Sequence, residues 1–198
     1  GALAPDAPVS HSPAAAPRRP LAWTLALVET TADTGPGIAP GVLVGVNTAL
    51  ANSLAAEAVA AGLVPGLRNA GPPRREVLYG EQRSRIDLIY APPAGPPVWV
   101  EVKNVSLDAD WHARFPDAPS LRGRKHLREL SAVVAGGERA LLVFCVQRGD
   151  VQTVGPADDV DPEYGRLLRA AVAAGVEVCG VGMDVSRHGI RPAGLLPV

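Results

Sequence analysis

Aromatic side chains make up only 4% of this 198-residue chain. Its core therefore has to be assembled from Val, Leu, Ile and Ala rather than from large rings. Cysteine is as scarce: Cys145 and Cys179 each lie inside an apolar segment, not at metal-ligand spacing. They read as small buried hydrophobes of a reducing, cytoplasmic setting. No apolar run approaches the roughly 18 residues that span a bilayer, and the first residues lack the charged-then-apolar build of a signal peptide. No membrane partner is expected. The motifs GxxxxGK(S/T), HExxH, CxxC and GxSxG are all absent, which removes phosphate-loop, zinc-protease, redox-dithiol and serine-hydrolase chemistry. Lysine is nearly absent too, since 17 of the 19 basic side chains are arginine and only Lys103 and Lys125 remain. A net charge of −1 gives the whole chain no pull on a polyanion, so any nucleic-acid surface must be local. The chain starts at Gly1 and its one methionine is Met183, as in a processed N-terminus or a part of a longer polypeptide.

Residues 1–20, rich in Ala and Pro, read as a linker or edge segment with little regular structure. Residues 21–29 have strand character, and the Gly/Pro-rich stretch 31–41 reads as a connection between two units. An Ala/Leu/Val-rich run over 50–63 predicts a helix stopped by Gly62 and Pro65-Gly66. Short strand signals follow at 76–80, 84–90 and 98–102, the last two separated by the loop APPAGPP. A polar loop with Trp111 and His112 leads to a helix over about 120–134, ended before Gly136-Gly137. The most apolar strand, 140–147, belongs at the centre of the sheet. A helix over about 162–174 and a buried strand at 176–182 complete the series. Strands alternating with helices after a meander predict an α/β fold, with a mixed central sheet flanked by helices.

Residues two apart on a strand share a face. In VWVEVK, the valines 98, 100 and 102 point one way, and Trp99, Glu101 and Lys103 the other. In RIDLIY, Ile86, Leu88 and Tyr90 share one face and Asp87 takes the opposite one. A hairpin across 91–97 then sets Asp87 beside Glu101 and Lys103. Two close carboxylates repel, and a hard divalent cation, Mg²⁺ or Mn²⁺, resolves that repulsion. Asp87 and Glu101 as ligands, with Lys103 stabilising charge, make a phosphodiester site. The same pattern also suits a solvated strand face with a weak ion pair. Pro116-Asp117 follows the Glu-x-Lys strand, where an acidic ligand of this pattern does not lie. Glu57, the single charged residue of the first helix, is a third candidate ligand or that helix's solvent side. Arg114, Arg122, Arg124 and Lys125 are candidate phosphate contacts, with Arg122, Lys125 and Glu129 on one stripe of their helix and Leu127, Leu130 and Val134 on the buried one. An ordinary charged outer face is the alternative. Gln147, closing the central strand, is a further candidate polar group at that edge.

Several segments together resemble the sugar fermentation stimulation protein family: VGVNTALAN (44–52), SRIDLIY (84–90), VWVEVKNVSL (98–107), ARFPDAPSLRGRKHLREL (113–130), ALLVFCVQ (140–147), DPEYGRLLRAAVAAGVEV (161–178) and the final Leu-Pro-Val. The resemblance covers most of the chain from about Arg18. It implies an N-terminal OB-like barrel followed by a PD-(D/E)xK restriction-endonuclease-like domain, with Asp87, Glu101 and Lys103 as the motif residues. On that pattern residues 1–37 are a partial OB-like segment and linker, a remnant of the barrel, and residues 38–198 are the nuclease-like domain. The implied function is interaction with DNA or an oligonucleotide through a metal-dependent phosphodiesterase site. Two alternatives stand beside it: a non-enzymatic DNA-binding regulator of sugar metabolism genes, and a binder of small cyclic or short oligonucleotides. A homodimer is left open.

Overall fold

A computed structural model describes residues 4–13, 21–31, 39–80 and 84–198. Among these residues the largest element is a six-stranded mixed sheet. Its strands are β4 (Arg74–Tyr79), β5 (Ser84–Tyr90), β6 (Val98–Val105), β9 (Arg139–Val146), β11 (Glu177–Ser186) and β12 (Gly189–Leu196), in the order β12-β11-β9-β6-β5-β4. The three middle strands β11, β9 and β6 run parallel, and the outer strands join antiparallel. β9 is buried along almost its whole length, as a central strand covered on both faces must be.

Three helices supply the cover. Helix α1 (Ala51–Ala60), built of strong helix formers, packs on one face against Val98, Val100, Val102, Leu141 and Val143. Helices α2 (Leu121–Ala135) and α3 (Pro162–Ala173) pack on the other against Leu142, Phe144 and Val146. Both start on a side-chain cap: Ser120 Oγ accepts from the Gly123 N–H at 3.0 Å, and Asp161 Oδ1 from the Tyr164 N–H at 2.9 Å. The helices, the mixed sheet and the opposed valine face all agree with the sequence reading.

Six strands escape that reading. β1 (Val9–Pro13) lies in the stretch expected to be irregular, yet pairs antiparallel with β2 (Trp23–Glu29). Its alternating side chains are half-exposed, and a terminal Pro is tolerated on an edge strand. β3 (Leu43–Gly45) adds to β2, giving an open three-stranded sheet with no closed barrel among the described residues. The strand expected at 21–29 is thus present as β2. The polar loop around Trp111 and His112 is a hairpin of β7 (Leu107–Ala109) and β8 (His112–Phe115), and β10 (Thr153–Pro156) runs parallel to β8. β12 carries Pro192 and Gly194 on the outer edge of the main sheet, where a missing donor is cheap.

The small N-terminal sheet is tied to the main one. The Gly45 N–H donates to the Gln147 carbonyl at 2.8 Å, and Arg187 pairs with Glu29. Gly45 is required there, because a Cβ would lie 2.5 Å from Gln147 Oε1.

Candidate functional site

The ladder between β5 and β6 pairs Tyr90 with Val98, Ile89 with Trp99 and Leu88 with Val100, then stops. Beyond that point the two strands part, and the Asp87 carboxylate enters the fork. Its Oδ2 accepts the Val102 N–H at 2.8 Å, replacing the backbone partner that the missing ladder would have supplied. Its Oδ1 accepts from Asn52 Nδ2 of α1 at 2.9 Å. The fork also corrects an expectation. Ile86 does not share a face with Leu88 and Tyr90; it packs toward α2 while they pack toward α1. The strict two-residue alternation fails where β5 bends away from its neighbour.

Glu101 and Lys103 occupy the α2 face of β6 as the alternation requires, and both are buried, at 2% and 8% exposure. Glu101 Oε1 accepts from Lys103 Nζ at 2.6 Å and also bonds His126 Nδ1 of α2. Arg122 Nε donates to His126 Nε2 at 3.4 Å, and Lys103 Nζ lies 3.0 Å from the same Nδ1 that meets Glu101. Glu101 Oε2 is buried with no partner among the described residues. Lys103 Nζ lies 5.9 Å from the centre of the Phe115 ring. Burial, and then the charge of Glu101, push the Asp87 carboxyl above its ordinary range. Burial alone would do the same to Glu101, but the hydrogen bond from His126 and the Lys103 charge outweigh it and hold that carboxyl below its ordinary value. The two acids are thus set apart by their surroundings. A cleft of about 410 Å³ opens beside them, lined by Lys103, Asn104, Ser106, Arg114, Phe115 and Asp117 among others.

Asp87, Glu101 and Lys103 are therefore brought together. Glu57 is not: it is exposed on α1 and lines a separate cavity with Arg75 and Tyr90. Five residues on from Asn52 it is turned roughly 140° around the helix, away from the fork. Arg122 is exposed beside His126, and Lys125 is half-buried. Arg114 is engaged by Asp159 at 2.8 Å and Arg124 by Asp161 at 2.8 Å, so both are already ion-paired. Gln147 is wholly buried, bonded to Asn104 and at 3.4 Å to the Asn47 carbonyl, and serves the seam with β3. Glu129 is buried and does not lie on an outer stripe with Arg122. Two members of the cluster, Asn52 and His126, carried only a weak sequence signal: a lone polar residue opening an Ala/Leu helix, and a single histidine four residues after an arginine. Among the described residues no group of three or more His, Cys, Asp or Glu side chains could hold a metal ion unaided.

Fold and cluster define an α/β domain whose acidic and basic site opens at a fork in a mixed sheet. The profile of the sugar fermentation stimulation protein RE domain matches residues 49–189. A sugar fermentation stimulation protein homolog of Pelobacter propionicus is 52% identical over 141 residues, 71% of this chain and 60% of that protein. The homolog of Halorhodospira halophila is 46% identical over 202 residues, all of this chain and 80% of its own length. The solved structure of Pyrococcus furiosus SfsA in complex with Ca²⁺ superposes with a TM-score of 0.83 at 28% identity, covering 96% of this chain and 77% of that one. The chain belongs to the sugar fermentation stimulation protein family. With the Pelobacter protein and others like it, the match spans about three-fifths of the relative's length.

Proposed function

We propose that the fork between β5 and β6 is a divalent-metal-dependent phosphodiester site of the PD-(D/E)xK type, acting on short nucleic-acid strands, and that it belongs to a nuclease-like unit over residues 38–198. The observation that carries this is the unpartnered, buried Glu101 Oε2 beside the Asp87 carboxylate. A buried carboxylate oxygen without a donor is costly unless a cation or ligand completes it. Asp87 and Glu101 would hold the ion, with the remaining positions left to backbone carbonyl, water and phosphate oxygens. Such an all-oxygen set fits Mg²⁺ or Mn²⁺. The Ca²⁺ in the Pyrococcus structure, another hard cation, supports a site of this kind. When bound, the ion supplies polarisation of the phosphate and a more acidic water.

The protein's own groups do the rest. Asn52 and the Val102 N–H orient Asp87, and His126 orients Glu101. Lys103 holds its charge beside the reacting phosphate, where it stabilises negative charge as it develops. Arg122, which bonds His126, and Lys125 would be phosphate contacts from α2. The ion pairs that engage Arg114 and Arg124, with a net charge of −1, favour a short strand over a long duplex.

The test is incubation with labelled single-stranded, duplex and short oligonucleotides, with Mg²⁺, Mn²⁺ or a chelator. Cleavage that needs the metal and disappears in Glu101→Gln is the expected result. Binding without cleavage by the wild type would move the protein to the non-enzymatic DNA-binding reading. Cleavage retained by Glu101→Gln would remove the site from the reaction.

A further inference from the structure

On the α2 side of the sheet, outside the cluster just described, Glu129 is more than nine-tenths buried and neither of its carboxylate oxygens has a partner among the described residues. It lines a cavity of about 380 Å³ with Tyr79, Gly80, Trp99, Arg128 and Ala132. Two further polar atoms of this cavity, the Tyr79 hydroxyl and the Trp99 indole N–H, are buried without partners among the described residues. The Tyr79 and Trp99 rings lie together, their centres 5.4 Å apart. Position 80 has to be glycine, with φ at +70°, and a Cβ there would come within 2.8 Å of Glu129 Oε1. The backbone is thus held against an unpartnered carboxylate oxygen. A carboxyl group removed from water without a partner is costly, so this arrangement asks for a ligand that donates two hydrogen bonds to it.

We infer that this cavity takes a guanine base, and that Glu129 reads its Watson–Crick edge. Guanine carries two adjacent N–H donors there, at N1 and N2, matched to the two oxygens of a carboxylate. Adenine and cytosine place an acceptor beside their amino group, and thymine or uracil flanks one N–H with two carbonyls, so each sets a lone pair against Glu129. The Tyr79 and Trp99 rings, tilted 37° to one another, give the cavity an aromatic wall against which one face of an unstacked base can pack. The Tyr79 hydroxyl and the Trp99 N–H remain as donors for the acceptor atoms of guanine. The charges of both Glu101 and Glu129 act on Tyr79, so the cavity adjoins the phosphodiester site. As a source of specificity within a strand this inference rests on the proposed function; as a base pocket it stands on Glu129 alone.

The experiment is calorimetric titration of the whole chain, without metal, by dGMP, dAMP, dCMP and dTMP. A parallel set uses five-residue thymidine strands carrying one guanine or one adenine. Guanine is expected to bind roughly 10- to 100-fold tighter than adenine, as for a good bidentate pair. Glu129→Gln should abolish that preference. Ala132→Phe, an exposed helix position at the cavity, should block binding without disturbing the helix. A preference seen with dGMP assigns a free nucleotide as well as a strand; a preference seen only in the strand assigns a nucleic acid. Equal or undetectable binding of guanine and adenine by both probes, or a guanine preference that survives both variants, overturns the inference. Guanine preference in a protein that cleaves nothing would keep the pocket and discard the catalytic reading.

Discussion

Asp87 and Glu101 reach the same opening by different routes, one through the gap between two strands and the other from the face of one strand. Each is held by a helix residue, Asn52 or His126, that donates to a single carboxylate oxygen and leaves acceptor capacity for an ion. Removing such an orienting partner commonly lowers metal affinity or activity 10- to 100-fold without unfolding the protein. Asn52→Ala is therefore expected to weaken Mn²⁺ binding by roughly 10- to 100-fold at an unchanged melting temperature, measured by calorimetry and thermal denaturation. A wild-type affinity would separate Asn52 from the site. The cysteines behave in the opposite way. Burial pushes the thiols of Cys145 and Cys179 up to about 12, so the neutral thiol persists through the physiological range. Their folded values are raised, so their contribution to stability is complete below the ordinary thiol pKa and is lost as the pH rises toward 12. Neither should be alkylated by iodoacetamide at pH 8 in the native protein, and both should react in urea; native labelling read by mass spectrometry would contradict their burial. At this scale the grouping of Asp87, Glu101 and Lys103 was legible, Glu101 and Lys103 from strand alternation and Lys103 also from the scarcity of lysine, whereas Asp87 reaches them through a fork that alternation does not describe. Asn52, His126 and Glu129 were not, because a helix shows its neighbours only after it has packed.

Among the elements, α2 and α3 are joined through one residue. Asp161 caps α3 at Tyr164, accepts the Ser120 N–H at 2.8 Å just before α2, and pairs with Arg124. Burial alone would raise its pKa; the hydrogen bonds from Arg124, Ser120 and Tyr164 win, and the carboxyl stays below its ordinary range. A lowered folded value means that the stabilisation is present above the ordinary carboxylate pKa and fades as the pH falls through the folded one. Asp161→Ala should cost about 2–4 kcal/mol at neutral pH by urea denaturation, with the gap from wild type closing in acid. A constant gap across pH would assign the loss to packing. Helices with such caps, and strands such as β9 that are apolar throughout, could be read directly from the sequence. β1, β3, β7, β8, β10 and β12 could not. They are short or lie on edges, and they exist because a partner strand offers its backbone, which no local pattern records.

For the molecule as a whole, net charge and the placement of cations bear on the proposed binding of nucleic acid. Arg114 and Arg124 are each engaged by an acid, and the net charge of the chain is −1. Binding of a short single strand should therefore weaken gently with salt, with a slope of log K against log salt no steeper than about −3, corresponding to some four phosphate contacts at most. A much steeper slope would point to a long duplex footprint and to the regulator reading. The family, the mixed sheet and the opposed valine face were open to the sequence; the fork in β5 was not, since it depends on where a ladder stops rather than on which residues compose it. Among the described residues no helix is long and apolar enough to cross a membrane.

The claim on which the rest depends is that Asp87 and Glu101 hold one ion between them. Anomalous diffraction from crystals of the whole chain grown with Mn²⁺ tests it most directly. The account predicts a single strong peak at about 2.0–2.3 Å from an oxygen of each carboxylate, with Glu101 Oε2 as one ligand, and its loss in Glu101→Gln. A peak elsewhere, or none at the fork at millimolar Mn²⁺, would contradict it.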